Sequence, residues 1–160
     1  SSVVGFALIV LSTIFLPKYA DLINKKRYES VAILFRRNIY LASLFAIVLS
    51  FVVVGASDYI AIINDLDDGA KLLSLLTIFC FAELVNSSTG SSVSVLQIAN
   101  QGKTVLASSM LFAFLGLSVS YWMLNRDILA IASISASAMA LHNLNCCYRV
   151  SKLLKYKQRG

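Results

Sequence analysis

The chain has 160 residues, 58% of them hydrophobic and 14% charged, with a mean hydropathy of +0.77 and a formal net charge of +6. A soluble domain carries about 25% charged residues, so a water-soluble globule is excluded, and one Pro with seven Gly excludes a disordered or collagen-like chain. The Lys and Arg stand in short blocks between apolar runs rather than on a face interleaved with stacking aromatics, which sets nucleic acid aside as a partner and makes the bilayer the expected solvent.

A helix needs about 20 mostly apolar residues to cross the hydrocarbon core. Five stretches meet or approach that length, which predicts an all-α, polytopic transmembrane helix bundle. Residues 1–16 are uncharged and begin at Ser1 with no basic n-region, so they read not as a signal peptide but as a span cut short within a longer chain. Residues 17–38 hold Lys18, Lys25, Lys26, Arg27, Arg36 and Arg37. Tyr19, Leu22 and Ile23 share a helical face there, and Val31, Ala32, Leu34 and Phe35 follow. The pattern predicts a short interfacial helix, with Arg36 and Arg37 snorkelling to lipid headgroups. Residues 39–56 form the second span, and residues 57–71 an acidic connection in which 59–63 are expected to lie in the opposite interface.

Residues 72–98 make a long third span with one charge, Glu83. Glu83, Asn86, Ser87, Gly90, Ser94 and Gln97 recur at steps of three or four, a polar stripe of about 21 Å. Lipid satisfies neither a carboxylate nor an amide, so the stripe is expected to face protein or a water-filled cavity. Packing between helices is the alternative, because small residues are common at such contacts. Residues 86–92 are weak helix formers around a central Gly, which predicts a local break near the midplane.

Lys103 stands in the short connection before the fourth span, residues 104–125, and an Asn125-Arg126-Asp127 turn leads to the fifth, residues 128–148. In the fifth, Ala132, Ala136, Ala140 and Asn143 make a small-residue packing face. His142 is a candidate proton-sensitive group, or else simply bonds a neighbouring helix. The tail, residues 149–160, holds five more cations. Five crossings alternate the connections between two sides, and one side collects 12 of the 14 Lys and Arg. The positive-inside rule then puts that side, including the C-terminus, in the cytoplasm.

Other chemistries fail on spacing. Gly102-Lys103-Thr104 lacks the first glycine of a phosphate loop, where Gln97 stands. Asp65, Asp67, Asp68 and Gly69 do not fit a calcium loop, and helix capping by Asp67 or Asp68 is the better account. Asn86-Ser87-Ser88 is a glycosylation sequon inside a span. Cys80, Cys146 and Cys147 lack metal-ligand spacing and read as reduced apolar residues. No Ser/His/Asp set or carboxylate pair is present, so the reading is neither an enzyme nor a metal or cofactor protein.

One arrangement is more specific. A span ends in Phe15-Leu16-Pro17-Lys18-Tyr19-Ala20, a basic stretch Asn24-Lys25-Lys26-Arg27-Tyr28 leads to Phe35-Arg36-Arg37, and the third span closes on Leu96-Gln97-Ile98-Ala99-Asn100-Gln101-Gly102-Lys103. This resembles the C-terminal part of a polysaccharide (O-antigen, Wzx-type) flippase of the multidrug/oligosaccharidyl-lipid/polysaccharide exporter superfamily. The resemblance implies about a dozen helices in two lobes, of which these five are roughly the last, and an inward-running first span as the charge count requires. It also implies a bacterial inner-membrane protein that moves a lipid-linked oligosaccharide by alternating access through a central cationic cavity. Membrane lipids, that substrate, a coupling cation and polysaccharide assembly enzymes are the partners so implied. The spans themselves hold no Lys or Arg, so Arg36, Arg37 and Lys103 at their ends are the candidates in this chain for reaching inward. A cation-coupled multidrug antiporter of the same superfamily and a non-transporting membrane scaffold subunit are the alternatives.

Overall fold

The computed structural model describes residues 2–63, 68–89, 91–123 and 128–158. Seven helices follow in order, with no strand among the described residues: α1 (Ser2–Asn24), α2 (Tyr28–Gly55), α3 (Ser57–Ile63), α4 (Gly69–Ser88), α5 (Ser92–Ile98), α6 (Gly102–Trp122) and α7 (Ile128–Gln158). Among the described residues four stretches are long and apolar enough to cross a membrane: α2, the α4–α5 pair taken together, α6, and α7 as far as Lys157. The protein is thus a membrane-embedded all-α bundle. α1, the expected first span, is helical throughout its described length.

The antiparallel order brings one end of each long helix together. The C-terminal turns of α1, α5 and α7 meet the N-terminal turns of α2 and α6, and the core lies there: Tyr19, Val31, Phe35, Val95, Leu96, Val105, Cys146, Val150 and Leu154 are all buried. Lys18, Lys25, Lys26, Arg27, Arg36, Arg37, Lys103, Arg149, Lys152, Lys155 and Lys157 stand on these same turns, which makes this the basic end. Farther along the helices, Phe45, Val48, Phe51, Leu111, Phe114 and Leu117 point outward and are exposed, as side chains that meet lipid must be.

Residues 17–38 do not form a separate interfacial helix. α1 passes through Pro17 and continues to Asn24, three residues turn, and α2 begins at Tyr28. The apolar face that suggested an interfacial helix is covered by protein: Tyr19, Val31 and Phe35 lie in the core with Leu22 and Ile23 packed against them. An amphipathic stripe looks the same in sequence whether headgroups or neighbouring helices bury it. Arg36 and Arg37 are exposed, on the side of α2 away from that core. The tail likewise continues α7, so Val150 and Leu154 are core residues.

Two turns at the basic end share one geometry. The Lys26 amide donates to the Ile23 carbonyl and the Arg27 amide to Leu22, while the Asn100 amide donates to Gln97 and the Gln101 amide to Leu96. Both are Schellman closures, in which the pivot residue takes a left-handed conformation, here φ 55° at Lys26 and φ 60° at Asn100. At the opposite end Asp68 caps α4 by accepting from the Lys71 amide at 3.0 Å. Asp65, Asp67 and the Asn125-Arg126-Asp127 turn lie outside the described residues. α3 packs on α4 and exposes Tyr59 and Ile62. α6 comes close to α7 at Gly116, where an added Cβ would stand 3.1 Å from that of Ala138.

Candidate functional site

The third span is two helices, and its own side chains explain how it stops inside an apolar bundle. A helix end leaves its last carbonyls without partners, which is costly away from water. The hydroxyls of Ser87, Ser88 and Thr89 donate to the carbonyls of Leu84, Val85 and Asn86 at 2.7–2.8 Å, and the Ser92 hydroxyl donates to Thr89. α5 restarts with the Val95 amide on the Ser91 carbonyl. The run of weak helix formers therefore both ends the helix and supplies hydroxyls to two of its last four carbonyls, those of Val85 and Asn86.

The break divides the polar stripe. On α4, the Asn86 side-chain amide donates to Glu83 Oε2 at 3.1 Å, and the Asn143 amide on α7 donates to Asn86 Oδ1 at 2.9 Å. Asn143 is buried, Glu83 and Asn86 half-buried, and no described Lys or Arg ion-pairs with Glu83. A carboxylate is thus tied through two amides to the neighbouring helix. On the near side a groove opens between α4 and α7, lined by Phe81, Ala82, Ala136 and Ala140 among others. Ser87 is buried and spends its hydroxyl on its own backbone. Ser94 is half-buried on α5 and Gln97 exposed near the basic end, while Gly90 lies outside the described residues. The five described residues are therefore split between two helices, Glu83, Asn86 and Ser87 on α4 and Ser94 and Gln97 on α5; Glu83 and Asn86 form one unit.

A second polar cluster, missed by spacing, sits where the break meets α1 and α2. The Asn38 amide donates to Ser91 Oγ at 2.9 Å, with Asn38 only 2% exposed. The hydroxyl of fully buried Tyr19 stands beside both but makes no well-formed hydrogen bond, and Asn38 Oδ1 is also unpartnered. Tyr19 comes from α1, Asn38 from α2, and Ser91 is the N-cap of α5. The sequence signal was present in Asn38, an amide at the start of an apolar span, but nothing in it named the partner.

His142 is held between two α6 hydroxyls, with Nδ1 at 3.0 Å from Ser108 Oγ and Nε2 at 3.1 Å from Ser109 Oγ. Ser108 also directs its hydroxyl at the Val105 carbonyl. Its oxygen is then left to accept from Nδ1–H, and Nε2 accepts from Ser109. Phe112 stands edge-on to the ring, and a groove between α6 and α7 leads from it past Gly116 and Ala138. His142 thus bonds a neighbouring helix and lies apart from the Glu83 unit. Lys103, at the start of α6, is exposed like Arg36 and Arg37, and none of the three is buried toward the break. Among the described residues no cluster of His, Cys, Asp and Glu could hold a metal, and Cys80, Cys146 and Cys147 are free thiols. Comparison with known proteins gives no match to a family model, to a curated protein or to a solved structure.

Proposed function

We propose that this chain is part of a membrane transporter, and that it moves a lipid-linked oligosaccharide across a bacterial inner membrane for surface polysaccharide synthesis. One observation carries the transport reading: a spanning helix interrupted one short helix, α5, before its basic end, with a Glu-Asn-Asn chain reaching from it to α7. Interrupted helices expose backbone and polar groups at membrane depth, where they are tolerated only against protein or a water-lined path. The oligosaccharide reading adds the resemblance in the helix-end motifs, with the C-terminus cytoplasmic by the positive-inside rule.

The test is export in cells. With the full reading frame expressed in a host lacking its own flippase, Glu83→Gln lowers surface polysaccharide while the protein accumulates normally. Unchanged export in both Glu83→Gln and Gln97→Ala removes the stripe from the transport path.

Glu83 also favours a second reading, a cation-coupled multidrug antiporter. Among the described residues Glu83 is the one carboxylate of α4 and α5, and their one cation, Lys71, stands in the first turn of α4 at the far end of that helix, which suits a coupling-ion site at Glu83 better than a site for pyrophosphate. Drug resistance conferred by the intact protein and lost in Glu83→Gln, without any polysaccharide phenotype, selects this reading.

A further inference from the structure

The hairpin of α1 and α2 carries two adjoining grooves on the outer surface of the basic end. One is a basin of about 550 Å³ at the α1–α2 turn, lined by Lys26, Arg27 and Lys157 with Glu29 as its one acid. The second, also about 550 Å³, runs between the two helices over Pro17, Leu22, Ile33 and Leu34, with Lys18 and Arg37 among its lining residues. Ser30 lines both, so they are contiguous. The second groove is mostly apolar, and Ile33 in it is 65% exposed.

Charge decides what fits. The two grooves present five cations, Lys18, Lys26, Arg27, Arg37 and Lys157, against Glu29 and Asp21. Asp21 is already neutralised by Lys25 at 2.8 Å. Tyr28, Glu29 and Ser30 of the first turn of α2 line the same basin, and Arg27 at its start supplies no side-chain cap to that turn. An anionic headgroup meets donors and positive charge there, while an acyl chain covers the apolar groove beside it. Free phosphate would leave that groove wet, and a zwitterionic lipid would leave the cations uncompensated.

We propose that the α1–α2 hairpin is a binding site for one anionic phospholipid, with its phosphate among Lys26, Arg27 and Lys157 and an acyl chain between Lys18 and Arg37. The site depends on membrane embedding and not on what the protein transports.

Purified full-length protein in detergent is titrated with phosphatidylglycerol, with phosphatidylcholine of the same chains, and with inorganic phosphate, reading the melting midpoint. Phosphatidylglycerol raises it and the other two do not. Each juxtamembrane cation is worth roughly fivefold in affinity, so Lys26→Gln/Lys157→Gln, which removes two of the three cations around the phosphate, binds about 30-fold weaker. Ile33→Trp, which fills the groove and keeps every charge, also loses the response, and Lys71→Gln at the opposite end keeps it. Each variant is read against its own lipid-free midpoint, which separates lost binding from lost stability. An equal response to phosphatidylcholine, an equal response to inorganic phosphate, or full phosphatidylglycerol selectivity in the double variant overturns the proposal. So does a stoichiometric protein that occupies the hairpin and abolishes the lipid response.

Discussion

Asn86 is the hinge of the polar relay, its side-chain amide donating to Glu83 and its Oδ1 accepting from the Asn143 amide. Hydrogen bonds between membrane helices contribute about 0.6 kcal/mol on average and at most about 1.7 kcal/mol. In a double-mutant cycle, Asn86→Ala and Asn143→Ala should therefore couple by about 0.6–1.7 kcal/mol, measured by unfolding in bicelles. Zero coupling would mean that the relay is not formed in the bilayer. The asymmetry between the two asparagines was partly legible. Asn86 stands out in its span beside a carboxylate, whereas Asn143 sits among alanines and reads as a packing residue. It is both, because the alanine face brings α7 close enough for the amide to reach. His142 is similar: the sequence supplied the ring, and only the approach of α6 supplied Ser108 and Ser109.

The two Schellman turns differ in how well their pivot residues suit them. Asn is among the few residues that take a left-handed conformation readily, so Asn100 is an ordinary choice. Lys26 in the same conformation carries a Cβ penalty of roughly 1 kcal/mol. Lys26→Gly should raise the thermal midpoint in detergent and Lys26→Val should lower it. The reverse order would mean that the basic side chain, through its neighbours, outweighs the backbone. The break in the third span was legible from its Ser, Thr and Gly content. The division of the stripe it causes was not, because a helical wheel assumes an uninterrupted helix. The extension of α1 past Pro17 was hidden for a related reason. Proline removes one hydrogen bond and marks a boundary in most soluble helices, but the packing of Tyr19, Leu22 and Ile23 carries the helix on.

Across the whole molecule, composition and charge spacing were enough for the class and for the gathering of cations at one end. They were silent on where the bundle is tightest. Hydropathy ranks the uncharged middles of the spans highest, yet the buried cluster lies among the charged turns, since membrane helices gain little by hiding apolar surface from lipid. Leu154, four residues from Val150 and close to Lys155 and Lys157, reads as tail and is core. Leu154→Ala should cost about 2–5 kcal/mol in bicelle unfolding. Leu117→Ala, at an exposed lipid-facing site, should cost far less. Equal costs would mean that the last turns of α7 are not docked.

The docking of α7 also bears on how the protein is made. Its final turns close over Tyr19, Val31 and Phe35, which leave the ribosome more than a hundred residues earlier. The helices must therefore enter the bilayer and wait side by side, with their tightest joint still open, until nearly all of this sequence has been synthesised. In that interval the α1–α2 hairpin stands without its cover, and whatever shields it then acts as a chaperone for the whole bundle.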